Sequence, residues 1–328
     1  MRPKIAIVYN EPEQAVLPFA NRETSAIAGV LDAVVAVKQS LEELGYKPLV
    51  FPLSPPLEPA LKKINLADLL MVFNLFEGFA GKPETEIELA LFLAGKKVPY
   101  TGNSPTALRI SLDKVAAKSL FKGSHVPTPA FCVLSSEELD GFNLKFPVIL
   151  KPSFSDASHG IYRENVVYNI GELKALLKQQ LAFARQPILA EEFIDGREFN
   201  AVVLGKEVLP ISEISYQLPQ GLPRLLTYEA KWDAESEYYK NTAAKCPANL
   251  PADTEAKVKK LAILACEACG CRGYARVDFR EDGDGRLYVL EVNPNPDLSP
   301  GAGLALQAKA AGLSYTELIK IIIEQAQK

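Results

Sequence analysis

The chain has 328 residues, a formal net charge of −4, and hydrophobic and charged fractions of 48% and 23%, the proportions of a globular protein with a sizeable core in two or three packed units. No run of Lys or Arg forms a basic stripe, which argues against a nucleic-acid partner. No stretch approaches the roughly 20 uninterrupted apolar residues of a membrane span, and the apolar run after Met1 is too short for a signal peptide, so residence in the cytoplasm is expected.

The first hundred residues alternate strand and helix: a strand at Ile5–Tyr9, a helix near Ser25–Leu44, strands near Pro48–Leu53 and Leu69–Phe73, and a helix over Glu84–Ala94. This rhythm predicts a doubly wound α/β unit with a parallel sheet. Leu31, Val34, Val35, Lys38, Leu41 and Leu44 recur at three- and four-residue steps, and Gly45 stops the helix. The turn residues Thr101-Gly102-Asn103-Ser104-Pro105 place the first boundary near Asn103, giving a unit over 1–103.

A helical run through Asp113, Lys114 and Phe121 opens the second unit, 104–190. Strands at Ala130–Leu134 and Val148–Lys151, a Ser-rich stretch to Gly160, a helix over Gly171–Leu181 and a strand at Ile188–Ala190 follow. The third unit, 191–328, is α+β. It is expected to hold strands Glu198–Leu204 and Val208–Ile214, then a long irregular segment from Ser215 to Pro251, which by its length reads as functional. A helix over Asp253–Cys269, a β-hairpin of Ala275–Arg280 and Arg286–Asn293, and helices near Leu304–Ala311 and Tyr315–Gln325 complete the chain.

On the hairpin, Glu291 and Asn293 share a face by the two-residue period of a strand. If the register sets Asp278 beside them, three hard oxygen donors converge, a donor set suited to magnesium when phosphates complete its shell. The spacing alone leaves this open against a solvated strand end. The turn Glu281–Gly285 lacks the remaining ligands of an EF-hand, and Gly78-Phe79-Ala80-Gly81-Lys82-Pro83 lacks the Walker spacing. Lys151 ends an apolar strand before Ser153–Gly160, whose small and hydroxyl residues could cradle phosphate oxygens while the lysine supplies a point charge. The five cysteines are odd in number, and the chain has only two histidines, so reduced thiols are expected in place of disulfides or a zinc site.

Five segments, in order, resemble the motifs of D-alanine:D-alanine ligases, members of the ATP-grasp superfamily. They are Lys151-Pro152 with its Ser-rich flap, Ala190–Glu198, Tyr228-Glu229-Ala230-Lys231, Arg276-Val277-Asp278 and Glu291-Val292-Asn293-Pro294. The likeness runs from about residue 68 to the carboxyl end. It implies an ATP-grasp fold and an ATP-dependent carboxylate–amine ligase working through an acyl-phosphate. By this resemblance Lys114, Lys151 and the flap residue Ser158 contact the nucleotide phosphates, Glu191 and the backbone near Phe193 the adenine, and Glu198 the ribose. Asp278, Glu291 and Asn293 would hold two magnesium ions, with manganese as a substitute. Lys231 would close over the γ-phosphate on a lid, and Arg276 would face the oxyanion of the tetrahedral intermediate.

The substrate half departs from the pattern. The family's first acidic residue has no clear counterpart, with Glu23 as the candidate; its His-Gly is Glu77-Gly78 here; its carboxylate-anchoring serine falls at Ala302, with Ser299 nearby. D-alanine, another amino acid or a peptide therefore all stay open as substrates. A regulatory ATP binder and a carboxylate kinase remain as rivals, and an apolar first-unit surface leaves a homodimer open.

Overall fold

A computed structural model describes residues 2–11, 20–79, 82–154, 161–184 and 186–327; for 20–29, 184 and 232 it describes the backbone alone. The first sheet holds β1 (Lys4–Asn10), β2 (Lys47–Leu53) and β3 (Met71–Leu75), all parallel in the order β2-β1-β3, connected through α1 (Ala20–Glu43) and α2 (Leu57–Leu61) and followed by α3 (Glu84–Gly95). Successive residues of β1 feed opposite faces. Ile5 and Ile7 join one core with Val37 and Leu41, while Ala6 and Val8 join another with Leu89 and Leu93. Burial on both faces is what makes such strands read as continuous apolar runs.

The expected helical run after Asn103 is two helices, α4 (Pro105–Leu112) and α5 (Lys114–Gly123). Asp113 breaks it: its backbone is extended and its carboxylate accepts from the N–H groups of Val115 (3.1 Å) and Ala116 (3.0 Å), capping α5. The break sets the Lys114 N–H 3.1 Å from the Ser153 carbonyl. A four-stranded antiparallel sheet follows in the order β4-β7-β5-β6, built from β4 (Phe131–Leu134), β5 (Val148–Pro152), β6 (Val166–Val167) and β7 (Ile188–Glu192), with α6 (Ile170–Ala184) against it. Strand β7 thus runs two residues past the boundary expected at 190.

The third sheet comprises β8 (Arg197–Leu204), β9 (Glu207–Val208), β10 (Ser212–Tyr216), a later edge strand β11 (Thr242–Lys245), and the hairpin β12 (Tyr274–Glu281) and β13 (Leu287–Asn293). The single strand expected over Val208–Ile214 is therefore two, parted at Leu209–Ile211, where Pro210 has no N–H to give a ladder. The segment expected to be irregular carries α7 (Tyr228–Trp232), α8 (Glu237–Lys240) and β11. Both short helices start from a hydroxyl cap, Thr227 to the Ala230 N–H and Ser236 to the Tyr239 N–H, and are too short to show a hydrophobic period. Helix α9 (Ala252–Ala268) packs its Val258, Ala262 and Ala265 against the sheet, together with Ala117 and Phe121 of α5. Helices α10 (Gly303–Ala310) and α11 (Tyr315–Ala326) return to the first unit, where Leu318, Ile319, Ile322 and Ile323 close over Ile5, Ile7 and Phe73.

The turn between the second and third sheets needs a glycine. A Cβ on Gly196 would lie 1.6 Å from the Glu281 carbonyl oxygen, so only a bare Cα lets β8 start against the hairpin end.

Candidate active site

A cleft of about 780 Å³, open at its mouth, lies between the four- and six-stranded sheets. Its lining includes Lys114, Lys151, Glu191, Phe193, Glu198, Lys231, Asp278 and Glu291, eight residues singled out from the sequence. The hairpin register explains the floor. Arg276 pairs with Asn293 and Asp278 with Glu291, but Phe279 pairs with Val289, so Leu290 is a bulge. The extra residue sends Val289 and Val292 into the core while Leu290 and Glu291 both face the cleft.

Asp278 receives four hydrogen bonds. Arg276 donates from Nε (2.7 Å) and Nη2 (2.9 Å), Asn200 from Nδ2 (2.7 Å) and Asn293 from Nδ2 (3.0 Å). Burial holds the Arg276 guanidinium back, but Asp278 and Glu291 outweigh it and the ion is firmly charged. Glu291 is different. Among the described residues its carboxylate accepts a long hydrogen bond from Asn293 Nδ2, 3.4 Å. Burial alone would raise its pKa, yet Lys114, Lys151, Arg276 and Lys231 together lower it to about 2. Four cations therefore favour the ionised form of this buried carboxylate, in a cleft whose lining sets Lys114, Lys151, Lys231 and Arg280 against Glu191, Glu198, Asp278 and Glu291.

The wall opposite is built on a buried charge cluster. Glu191, 1% exposed, pairs with Lys151 at 3.0 Å and with Lys118. Burial disfavours its charge, but the two ammonium groups win and its pKa is lowered. For Lys151 burial is likewise outweighed, by Glu191 and Glu291, and the pKa rises; for Lys118 burial wins and the pKa falls. The Glu191 carboxylate is thus committed to holding two lysines. The Phe193 N–H donates to the Pro147 carbonyl (2.9 Å), and the neighbouring Ile194 lines the cleft. The Phe193 ring packs with Ile149, Ile161 and Leu225, an apolar slot suited to a flat base. Glu198 pairs with Arg280 at 2.6 Å and accepts from the Tyr216 hydroxyl at 2.5 Å; burial, then Glu198, pushes the Tyr216 phenol well up.

Lys231, on α7, reaches the cleft because the expected lid segment folds over it, with the Tyr228 N–H on the Ile161 carbonyl at 3.0 Å. Burial and Arg276 both depress its pKa. Ser158 lies outside the described residues, as does the side chain of Glu23. Glu77 lines a second, smaller cavity, while Ser299 lines neither and donates its N–H (2.7 Å) and hydroxyl (2.6 Å) to Asp297. Sequence reasoning missed Lys118, Arg280, Tyr216 and Asn200. Two of them left a signal: Lys118 lies four residues after Lys114 beside the core residues Ala117 and Phe121, and Arg280 continues the alternation of Arg276 and Asp278.

Among the described residues no group of three or more His, Cys, Asp and Glu side chains forms a metal cage. At the hairpin Asn293 turns its Nδ2 toward both Asp278 and Glu291, and Asp278 is occupied by Arg276 and Asn200, so these three donors could hold a divalent ion only after Arg276 leaves Asp278 and the Asn293 amide turns its oxygen inward. No helix of the described residues is long and apolar enough to cross a membrane.

The family described as D-ala D-ala ligase C-terminus matches residues 120–324. The uncharacterized protein y4sG of Sinorhizobium fredii is 36% identical over 91% of this chain and 88% of its own length. The D-alanine–D-alanine ligase B of Chromobacterium violaceum is 31% identical over 93% of both chains. In fold, the crystal structure of the D-alanine–D-alanine ligase from Bacillus anthracis complexed with ATP is similar at a TM-score of 0.77 and 22% identity, covering 100% of this chain and 97% of that one.

Proposed function

The chain belongs to the D-alanine–D-alanine ligase family of ATP-grasp ligases, and from that premise we propose that it joins the carboxylate of one amino acid or peptide to the amine of another at the expense of ATP. The single observation that carries this reading is the convergence of Lys114, Lys151 and Lys231 with Asp278 and Glu291 in one cleft, a charge pattern complementary to a triphosphate with its metal. The adenine would lie against Phe193 in the apolar slot, with the phosphates toward Lys114, Lys151 and Lys231. Glu191 supports this by keeping Lys151 charged and aimed. Ser158, on the flap, is proposed as a further phosphate contact, and Glu198 as the ribose partner.

A carboxylate oxygen of the first substrate attacks the γ-phosphorus, ADP leaves, and an acyl-phosphate forms. The amine nitrogen of the second substrate then attacks the acyl carbon, phosphate leaves, and the nitrogen loses a proton. Arg276, released from Asp278 toward the reacting carbon, would stabilise the oxyanion between these events. Magnesium, or manganese in its place, would be held by Asp278, Glu291 and Asn293 and would neutralise phosphate charge. Helices α7 and α8 would act as a cover that keeps water from the acyl-phosphate.

We divide the chain at 103 and 190, a division supported by its three separate sheets. A homodimer through the first unit and residence in the cytoplasm complete the proposal. D-alanine is one candidate substrate beside other amino acids and peptides. Phosphate release measured with ATP, magnesium and a panel of D- and L-amino acids tests the reading: release that depends on an added amino acid and is matched by an amide product supports it. Tight ATP binding with no release points to a regulatory nucleotide site. Hydroxylamine-trappable acyl-phosphate without amide product points to a carboxylate kinase.

A further inference from the structure

A second buried ion pair sits one step along the sheet from Asp278. The strand period sends Phe199 of β8 and Val277 and Phe279 of β12 into the core, so Glu198, Asn200, Asp278 and Arg280 take the other face. There Arg280 stands directly across from Glu198, as Asp278 does from Asn200. Glu198 is 5% exposed and Arg280 2%, yet both line the cleft.

Burying a charged pair is costly, and a pair serving stability alone gains most from a two-pronged fork. Arg276 makes such a fork, with one nitrogen on each oxygen of Asp278. Arg280 does otherwise. Its Nη2 meets Glu198 Oε2 at 2.6 Å, and the Tyr216 hydroxyl donates to that same oxygen at 2.5 Å. The rest of the guanidinium goes to main chain: Nη1 donates to the Gly196 carbonyl at 3.1 Å, and Nη2 also donates to the Arg224 carbonyl. Arg224 directly precedes Leu225 and Leu226, which line the cleft, and Leu225 shares the apolar slot with Phe193. The guanidinium lies 5.7 Å from the Phe193 ring centroid and 5.6 Å from that of Tyr216. One buried cation thus ties the start of β8 to the slot proposed for the base, while both contacts on the Glu198 carboxylate fall on a single oxygen.

We infer that Arg280 and Tyr216 are positioning residues for the nucleotide sugar, fixing Glu198 by Oε2 so that Oε1 accepts from the ribose hydroxyls of a triphosphate whose base lies against Phe193. A side chain fixed before the ligand arrives has little rotamer freedom left to lose on binding. An acceptor built to meet a hydroxyl is left unpaired by an analogue that lacks it, so the site selects ribonucleotides over deoxyribonucleotides. This inference rests on the ligase reading above, in which Glu198 is the ribose partner.

The test is calorimetric titration of the full chain, in the presence of magnesium, with ATP, 2′-deoxy-ATP and 3′-deoxy-ATP. Wild type is compared with Glu198→Ala, Tyr216→Phe and Arg280→Lys. The readout is the ratio of the Kd of each deoxynucleotide to that of ATP, which a general loss of stability or of nucleotide affinity does not move. Tyr216→Phe keeps the ring and removes one donor; Arg280→Lys keeps the charge and loses the fork. Circular dichroism establishes that each variant is folded, and should Arg280→Lys fail to fold, Tyr216→Phe decides by itself. The expected wild-type ratio is at least about tenfold for one of the deoxynucleotides. It should approach one in Glu198→Ala and fall about threefold or more in Tyr216→Phe and Arg280→Lys. A ratio lost in Glu198→Ala but unchanged in both Tyr216→Phe and Arg280→Lys overturns the inference alone. A wild-type ratio near one for both deoxynucleotides overturns the inference together with the ribose role of Glu198, and leaves the ligase reading to the phosphate-release assay. No binding of ATP by the wild type overturns the ligase reading and the inference with it.

Discussion

Replacing Glu191 by Gln removes one charge and leaves two. At 3.0 Å a pair of unit charges at an effective dielectric of 20 interacts by about 5 kcal/mol, and the Lys118 contact adds a second such pair. Desolvation of all three groups offsets part of this. What the substitution exposes is the remainder: an ammonium on Lys118 whose side chain is 2% exposed and which then has no anion beside it. Breaking a buried pair from one side costs about 3–5 kcal/mol. At about 2 °C per kcal/mol for a chain of this size, the thermal midpoint should fall by about 6–10 °C. The double variant Glu191→Gln, Lys118→Met removes the orphaned ammonium and should recover more than half of the loss, a non-additivity readable in a double-mutant cycle. Thermal and urea unfolding followed by circular dichroism are the assays. A change under about 1 kcal/mol in the single variant, against a 3–5 kcal/mol expectation, or strict additivity in the cycle, would refute the reasoning that Glu191 is the anion holding two lysines.

The same cluster predicts a pH profile. The folded pKa of Glu191 is lowered from 4.5, so its contribution is present above that value and is lost as pH falls through the folded value. That of Lys151 is raised from 10.5, so its contribution is present below 10.5 and lost as pH rises past the folded value; thermal midpoints across the range should show a plateau whose acid limb is shallower in Glu191→Gln. Arg276→Lys loses the two-pronged contact with Asp278 and should lower kcat about 10²–10³-fold, measured as phosphate release, with ATP affinity retained. Lys231→Ala should also reduce kcat, and a wild-type rate would show that α7 is no part of the catalytic cover. Gly196→Ala forces a Cβ against the Glu281 carbonyl and should destabilise the chain by about 2–3 kcal/mol, seen in urea unfolding.

Much of this site was legible because it is local. Glu291 and Asn293 face one way by strand period, and the motif segments place Lys151, Glu191 and Lys231 on successive elements that the fold then brings to one cleft. Asp113 could be read as a helix residue, but its role as a cap between two helices depended on a break that apolar spacing does not announce. The bulge at Leu290 was hidden for a similar reason: one extra residue in a strand changes no composition, yet it decides that Val289 is core and Glu291 is not. Lys118 acquires its meaning from a partner far away in the chain, Glu191. The return of α11 onto β1 was equally invisible, since its apolar stripe fits any partner face. The short helices α7 and α8 were hidden because capping hydroxyls, not hydrophobic period, begin them.

The most direct test is a calorimetric titration of ATP into wild type and Glu291→Gln, each with and without magnesium. In wild type magnesium should tighten ATP binding by about tenfold or more, as expected when the hairpin oxygens and the phosphates share an ion, and in Glu291→Gln that enhancement should vanish. ATP binding that ignores magnesium in the wild type, or an enhancement that survives the loss of the Glu291 charge, would contradict the account.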